Sequence, residues 1–465
     1  MIATLAQPRL RTPELGARQG HRLFAVVLGA AAVLRVLVML GHDTARLYWY
    51  DSFTYLDTAV HLRPQGAFHP AGYPLFLRLL LPFHSVEVVV AVQHAMGLGI
   101  GVMIYALLRR RSLPGWGASL AAVPVLFDPS FLRLEHAILS DVQVIFLIVA
   151  ALSVLMWRDQ VSARAAVAAG LLLALAGLTR TAAVPLLGLA GLYLLLRRTP
   201  WRRVVAFALA GALPLLGYAG WYAQHHGRFA LSGSDGVALW ARTMTFADCS
   251  IIKPAPELAK LCPNGTVVDA ASEYVWAPGA SLNLLPGGRF AHNDLARSFA
   301  VAAITAQPLD YLREIVEDTA LAFTWEPVAH PKRMSPTTSF PVGAWPLPEE
   351  QPLVAQVRAD YDPGLTGMTS VRPYASILAA YPYPWFLHGT LFGVLLLLGA
   401  LRRAALLPWT FAMFLLVAPV AALDFDHRYV LPAIPLACVA AALAVARLPR
   451  LRYRAWRERR TTVPV

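Results

Sequence analysis

Charge is what this sequence has least of. Only 14% of its 465 residues are Asp, Glu, Lys or Arg, while 57% are hydrophobic and mean hydropathy is +0.53. A soluble chain of this length needs far more polar surface, so a soluble globular protein is excluded. Lysine is scarce beside arginine, which carries no functional signal. There is no Walker A motif, no G-x-S-x-G and no H-E-x-x-H, so those catalytic templates are absent. No signal-peptide pattern precedes the first apolar run: the N-terminal ~20 residues are polar and basic without an A-x-A site, which makes that run a retained helix. His69, His94 and His136 are scattered, so spacing gives no support for a metal site, and no cofactor is implied.

Apolar runs are what the chain has instead. Ten approach the ~20 residues that cross a bilayer as helix: 22–41, 86–107, 115–132, 137–157, 164–178, 181–196, 203–222, 386–401, 404–422 and 428–446. The runs at 164–178 and 181–196 are short enough for a re-entrant pair. The expected fold class is an all-α polytopic membrane protein. The excess positive charge of +13 collects between runs, at Arg9, Arg11, Arg18 and Arg22, at 109–111, at Arg158 and Arg164, at 197–203, at Arg402 and Arg403, and in the tail at 448–465. Every second connection is arginine-rich. The positive-inside rule therefore puts both termini in the cytoplasm of an integral plasma membrane protein, and excludes a nucleic-acid role for the charge.

The opposite side then receives the loop 42–85, a short connection near 133–136, the "LTRT" turn, a large loop at 223–385 and "DFDHR". The chain divides into an N-terminal membrane module (1–222), the large loop or small subdomain (223–385), C-terminal membrane helices (386–447) and the basic tail (448–465). In the large loop, Pro308 opens a helix whose Leu309, Leu312, Ile315, Val316 and Thr319 share one face, an amphipathic pattern suited to a membrane surface or to packing in a subdomain. Cys249 and Cys262 lie in this loop and form a plausible disulfide if it is outside the cell; Cys438 lies in an apolar run.

Polar residues at the outer ends of the runs are the candidates for chemistry. "YWYDSFTY" (48–55) places Asp51 among aromatics just outside the first run. On a helix, Asp51, Tyr55 and Thr58 share a face, and a carboxylate partly desolvated there can act as a general base. The competing reading is a solvated acid in an aromatic interfacial belt. "RLEHAILSD" (133–141) sets Glu135 and His136 before the fourth run and Asp141 inside it, where an ionisable group is costly and hence a functional candidate; helix capping is the plain alternative. Arg180, isolated in "GLTRT", needs a partner such as a phosphate or Glu135. Arg35 lies within the first run and is placed to snorkel outward. Asp426, His427 and Arg428 stand at the mouth of the last run.

The order of these motifs resembles the GT-C glycosyltransferases: an acid in the first external loop, then "HPAGYPLFLRLL", "EHAILSD", "LTR" and "RYVLPAIPL". The protein mannosyltransferase and aminoarabinose transferase group, which uses polyprenyl-phosphate sugars, is the nearest in pattern. The resemblance covers most of 20–200 and 385–447. It implies a bundle of about ten spans with a large extracytoplasmic loop, and inverting transfer of a sugar from a polyprenyl-phosphate carrier to a glycan, lipid, protein or metabolite acceptor. It implies Asp51 as the base, and Arg180, Arg428 and Arg35 as holders of the lipid phosphate. Tyr50, Tyr55, His69 and Tyr73, with Glu135, His136 and Asp141, would bind substrate. Many members carry a second acid after the first; here that residue is Ser52. A lipid or solute transporter and a non-catalytic binder of lipid-linked sugar are the rival classes. No clear internal repeat is present, and the polar residues gather at one face, unlike many transporters.

Overall fold

The computed structural model describes residues 13–48, 50–267, 269–324, 327–333, 340–381 and 389–446. The basic tail at 448–465, Arg9 and Arg11 lie outside them. Among the described residues, five helices are long and apolar enough to cross a membrane by length and composition: Gln19–Gly41, Val86–Arg110, Trp201–His226, Arg403–Ala422 and His427–Val445. The other expected runs coincide with shorter apolar helices: Gly115–Phe127, Asp141–Met156, Ala163–Thr179, Thr181–Leu196 and Gly389–Ala400. Ten spans are therefore not established, and five meet the length requirement. The protein is an integral membrane protein of helical architecture.

Local chemistry sets several boundaries. Val86–Arg110 begins at Ser85, whose side chain accepts from the Val88 amide at 3.3 Å, and ends with Arg109 and Arg110. Cap and charge both suit the helix dipole. The run expected over 115–132 is broken at Asp128. Its carboxylate accepts from the Ser130 amide at 2.8 Å and Pro129 takes the first helical position, so a new helix, Pro129–Glu135, starts there.

The large loop holds two ordered parts. The first has its own core of Val237, Trp240, Leu261, Leu282, Ala296 and Phe299. Cys249 and Cys262 are joined in a disulfide across it, and Trp240 Nε1 donates to the Leu261 carbonyl at 3.1 Å. Phe68 of the first loop and Leu423 pack against this core. The Pro308–Ala320 helix forms with proline in its first turn. Leu309, Leu312 and Val316 remain exposed, so its apolar face is not packed into the subdomain. On its other side, Arg242, fully buried, ion-pairs with Asp318. The second part returns to the first loop. A three-stranded sheet has the order β1 (His42–Asp43), β3 (Met368–Ser370), β2 (Ala344–Trp345), with both pairs antiparallel. Asp43 accepts from the Thr369 amide at 2.6 Å. The Pro352–Asp360 helix packs on Asp51–Val60, and Tyr361 OH donates to the Leu77 carbonyl at 3.0 Å.

Asp424 hooks the first part to the membrane helices. Its carboxylate accepts from the Ser272 amide at 2.8 Å and contacts His330 Nε2 at 2.6 Å. Burial pulls His330 toward the neutral form, but the hydrogen bond and charge of Asp424 outweigh it, so its pKa is raised. Burial likewise pushes Asp424 up, and His330 and Ser272 outweigh that, so its pKa is lowered. The raised histidine contributes stability that is present below its ordinary value and lost as pH rises through its folded value. The depressed acid contributes stability above its ordinary value, lost as pH falls. Both contributions are present together between the ordinary Asp and His values. The expected outcome is a melting temperature that declines above neutral pH, with His330→Gln flattening that decline. Thermal unfolding in nanodiscs checks this; an unchanged slope in His330→Gln contradicts it.

Candidate functional site

Asp51 is the first residue of the Asp51–Val60 helix, where the dipole favours a carboxylate. The position of that helix is fixed by the next residue. Ser52 is fully buried; its Oγ accepts from the Tyr48 amide at 2.8 Å and donates to the Ile138 carbonyl at 2.8 Å. Arg46 pairs with the same segment as a parallel bridge, its amide on the His136 carbonyl at 2.9 Å and its carbonyl taking the Ile138 amide at 3.0 Å. An acid at position 52 would put a charge into this backbone lock, where the serine hydroxyl both accepts and donates.

The two oxygens of Asp51 face different partners. Oδ1 lies 3.2 Å from His69 Nε2, and Oδ2 lies 3.7 Å from Arg428 Nη1. Arg428 also approaches Asp426 at 3.8 Å and stacks over Tyr429 and Tyr48. Arg180 donates from Nη1 to Asp141 Oδ1 at 2.6 Å, and its guanidinium lies 5.2 Å from the Tyr429 ring centre. The first loop, the start of Asp141–Met156, the end of Ala163–Thr179 and the start of the last helix thus meet in one place. Beneath them Tyr55 packs on His69 and Tyr73, its hydroxyl 3.2 Å from Ser140 Oγ. Two buried polar atoms in this cluster, Arg428 Nε and Asp141 Oδ2, have no hydrogen-bond partner among the described residues. Buried polar groups are nearly always satisfied, so such a pair of atoms calls for an explanation.

Burial pushes the Asp51 carboxyl up, but the hydrogen bond and charge of His69 and the charges of Arg428 and Arg180 outweigh it. Asp51 is held well below the usual carboxylate range and is ionised at neutral pH. Tyr50 beside it is raised, first by burial and then by the Asp51 charge.

Other candidates lie elsewhere. Arg35 does not snorkel outward: it is 2% exposed and donates to Glu135 Oε1 at 2.7 Å. The alternative partner for Glu135, Arg180, is taken by Asp141. Glu135 Oε2 meets His94 Nδ1 at 2.8 Å, and His94 Nε2 lies 3.3 Å from His136 Nδ1. Gln93 donates to the Glu135 and Ala137 carbonyls at 2.9 and 2.7 Å and accepts from Tyr73 OH at 2.8 Å. Arg35, Glu135 and His136 therefore belong to a buried knot with His94 and Gln93, under the loop rather than in the Asp51 cluster. A buried charge is tolerated only when paired, and here each is. Gln93 is a residue the sequence reading passed over, and His94 was weighed there only as a scattered metal-ligand type; polar side chains two turns into the apolar run 86–107 are the signal that finds both.

Among the described residues, Asp318, His330 and Asp424 bring ligand-type atoms within 4.8 Å of one another. Arg242 already neutralises Asp318, and His330 already bonds Asp424. The trio is a self-satisfied structural group.

No family model matches the chain, and no curated protein does. Solved structures do. It is similar to a protein O-mannosyltransferase complex of S. cerevisiae bound to the sugar donor, at 14% identity and TM-score 0.34, over 53% of this chain and 38% of that one. It is similar to the Archaeoglobus fulgidus oligosaccharyltransferase at 14% identity and TM-score 0.42, over 93% of this chain and 52% of that one. It is similar to ArnT from Cupriavidus metallidurans at 15% identity and TM-score 0.35, over 92% and 78%. The chain spans about half or less of the first two. At such scores the functional reading rests on the site's own geometry.

The knot yields a direct test. A Cβ on Gly97 would overlap Glu135 Oε1 and sit 2.9 Å from Arg35 Nη2. Gly97→Ala must therefore displace one member of a buried ion pair, a class of change that costs about 3–5 kcal/mol when a partner is lost. The expected outcome is a large fall in melting temperature in detergent or nanodiscs; a melting temperature unchanged from wild type contradicts the pairing.

Proposed function

We propose that the protein is an inverting glycosyltransferase that moves a sugar from a polyprenyl-phosphate carrier to an acceptor hydroxyl at the outer face of the membrane. The observation that carries this reading is an ionised carboxylate, Asp51, set 3.7 Å from the half-buried Arg428, with Arg180 held beside them on Asp141, while Arg428 Nε makes no hydrogen bond among the described residues. A lipid phosphate supplies the missing acceptor for that nitrogen. A sugar hydroxyl supplies the missing donor for Asp141 Oδ2.

In the resting site Asp51 is too weak a base for the task, because its cations favour the ionised form. A phosphate drawn to Arg428 and Arg180 changes this. The anion offsets part of their charge, so donor binding raises the proton affinity of Asp51. The acceptor oxygen then attacks the anomeric carbon, its proton passes to Asp51, the bond from that carbon to the phosphate oxygen breaks, and the lipid phosphate leaves with the electron pair. Arg180 and Arg428 offset the charge that develops on it where water is scarce. His69 orients Asp51 through Oδ1, and Tyr50 borders the acceptor side. Glycosyl transfer of this kind needs the donor in lipid and the acceptor in water, and Asp51 stands between them.

Asp51→Asn is expected to abolish transfer while leaving expression and donor binding near wild type; turnover retained in nanodiscs contradicts the assignment of the base. Arg180→Ala is expected to raise KM for the polyprenyl-phosphate sugar by about tenfold or more, the scale of one lost charge-assisted contact. Unchanged donor kinetics remove Arg180 from the site.

A further inference from the structure

We propose that an aromatic and cationic rim beside Asp51, formed by Tyr50, Phe68, Trp276, Arg289 and Phe290, is the acceptor subsite and that it takes an acidic saccharide. The inference rests on the reading of Asp51 as the base of a glycosyl transfer.

The rim is assembled from four separate stretches of chain, at positions 50, 68, 276 and 289–290. Tyr50 and Trp276 stand 5.7 Å apart, ring centre to ring centre, at 56°. Phe68 lies 5.5 Å from Trp276 and 5.2 Å from Phe290. These contacts hold the rings of the large loop against the first loop. Yet Tyr50 is 42% and Trp276 43% exposed. Two large flat side chains meeting at an angle and left open to water form a notch suited to the C–H face of a sugar ring, with the phenol and indole able to donate hydrogen bonds at its edge.

The charge at the rim narrows the ligand. The Arg289 guanidinium lies 5.1 Å from the Trp276 ring centre and 5.7 Å from that of Phe290. Its Nε donates to Asn283 Oδ1 at 2.8 Å, which fixes the plane of the group. It forms no ion pair among the described residues, unlike Arg180 and Arg428. A pre-oriented guanidinium without an acid is matched to a carboxylate or phosphate on the ligand, which it binds as a planar fork.

The placement separates this subsite from the donor. Oδ1 of Asp51 faces His69, and His69 adjoins Phe68, 6.2 Å away between ring centres. Oδ2 faces Arg428, on the side of the membrane helices. A ring held in the notch approaches Asp51 from the aqueous loop, and a lipid-borne phosphate approaches from the opposite oxygen. One carboxylate then serves both.

The test uses the full-length protein in nanodiscs, titrated with a glucuronic-acid-terminated disaccharide and with the matched glucose-terminated one, following tryptophan fluorescence and heat. The acidic probe is expected to bind about tenfold or more tightly, a difference of ~1.4 kcal/mol. Arg289→Gln should bring the two affinities together, Arg289→Lys should keep part of the preference, and Trp276→Ala should weaken both probes. Binding of neither probe, equal affinity in wild type, or a preference that survives Arg289→Gln overturns the subsite. The same titration on Asp51→Asn distinguishes the two readings, because the subsite acts before any proton moves. A preference retained there together with normal transfer keeps the subsite and rejects the base; loss of transfer with no preference in wild type keeps the base and rejects the subsite.

Discussion

A carboxylate set among apolar helices needs a cation or hydrogen-bond donors within reach, or it takes up a proton and its charge is lost. This constraint organises the upper part of the molecule. Asp141 and Arg180 meet at 2.6 Å, Arg35 and Glu135 at 2.7 Å, and Asp51 lies between His69 and Arg428. The first two pairs are close and direct. The third is looser, with Arg428 at 3.7 Å and shared with Asp426. A loose pair is what an incoming anion can enter. The Arg35–Glu135 pair is closed within the knot; in the reading proposed above, Arg180 and Arg428 are the cations that an incoming anion meets.

The large loop completes this arrangement through a few contacts. Phe68 packs into its core, Asp424 binds both Ser272 and His330, and the strand Met368–Ser370 pairs with residues 42–43 directly after the first helix. The segment carrying Asp51 is thereby fixed from three directions: the sheet, the Ser52 lock to Ile138, and the aromatic contacts of Trp276. The apolar helices supply the platform on which the loop packs.

Much of the candidate cluster was legible because ionisable groups stand out in an apolar chain. Asp51, Asp141, Arg180 and Arg428 are each exceptions to their surroundings, and the structure brings them together. Their partners were less legible. Glu135 and Asp141 lie six residues apart, and only the turn after Pro129–Glu135 decides that the first faces inward to Arg35 and the second faces Arg180. Ser52 read as a missing acid and is a backbone lock. Trp276 and Arg289 lie in a loop without periodicity, so nothing in their spacing tied them to position 51. The helix at 308–320 was legible from Pro308 and its apolar face, while the exposure of that face required the packing to be seen. The span count was least legible, because several apolar helices are shorter than a bilayer and their pattern alone does not say how they cross it.

The central claim is that the site spends its two arginines on a departing lipid phosphate. It is tested most directly by giving the purified full-length protein in nanodiscs a panel of radiolabelled polyprenyl-phosphate sugars and measuring free polyprenyl phosphate. Release from at least one sugar, accelerated when an acceptor saccharide is added, is the result expected. No release from any member of the panel, by protein that demonstrably binds polyprenyl phosphate, would contradict the account.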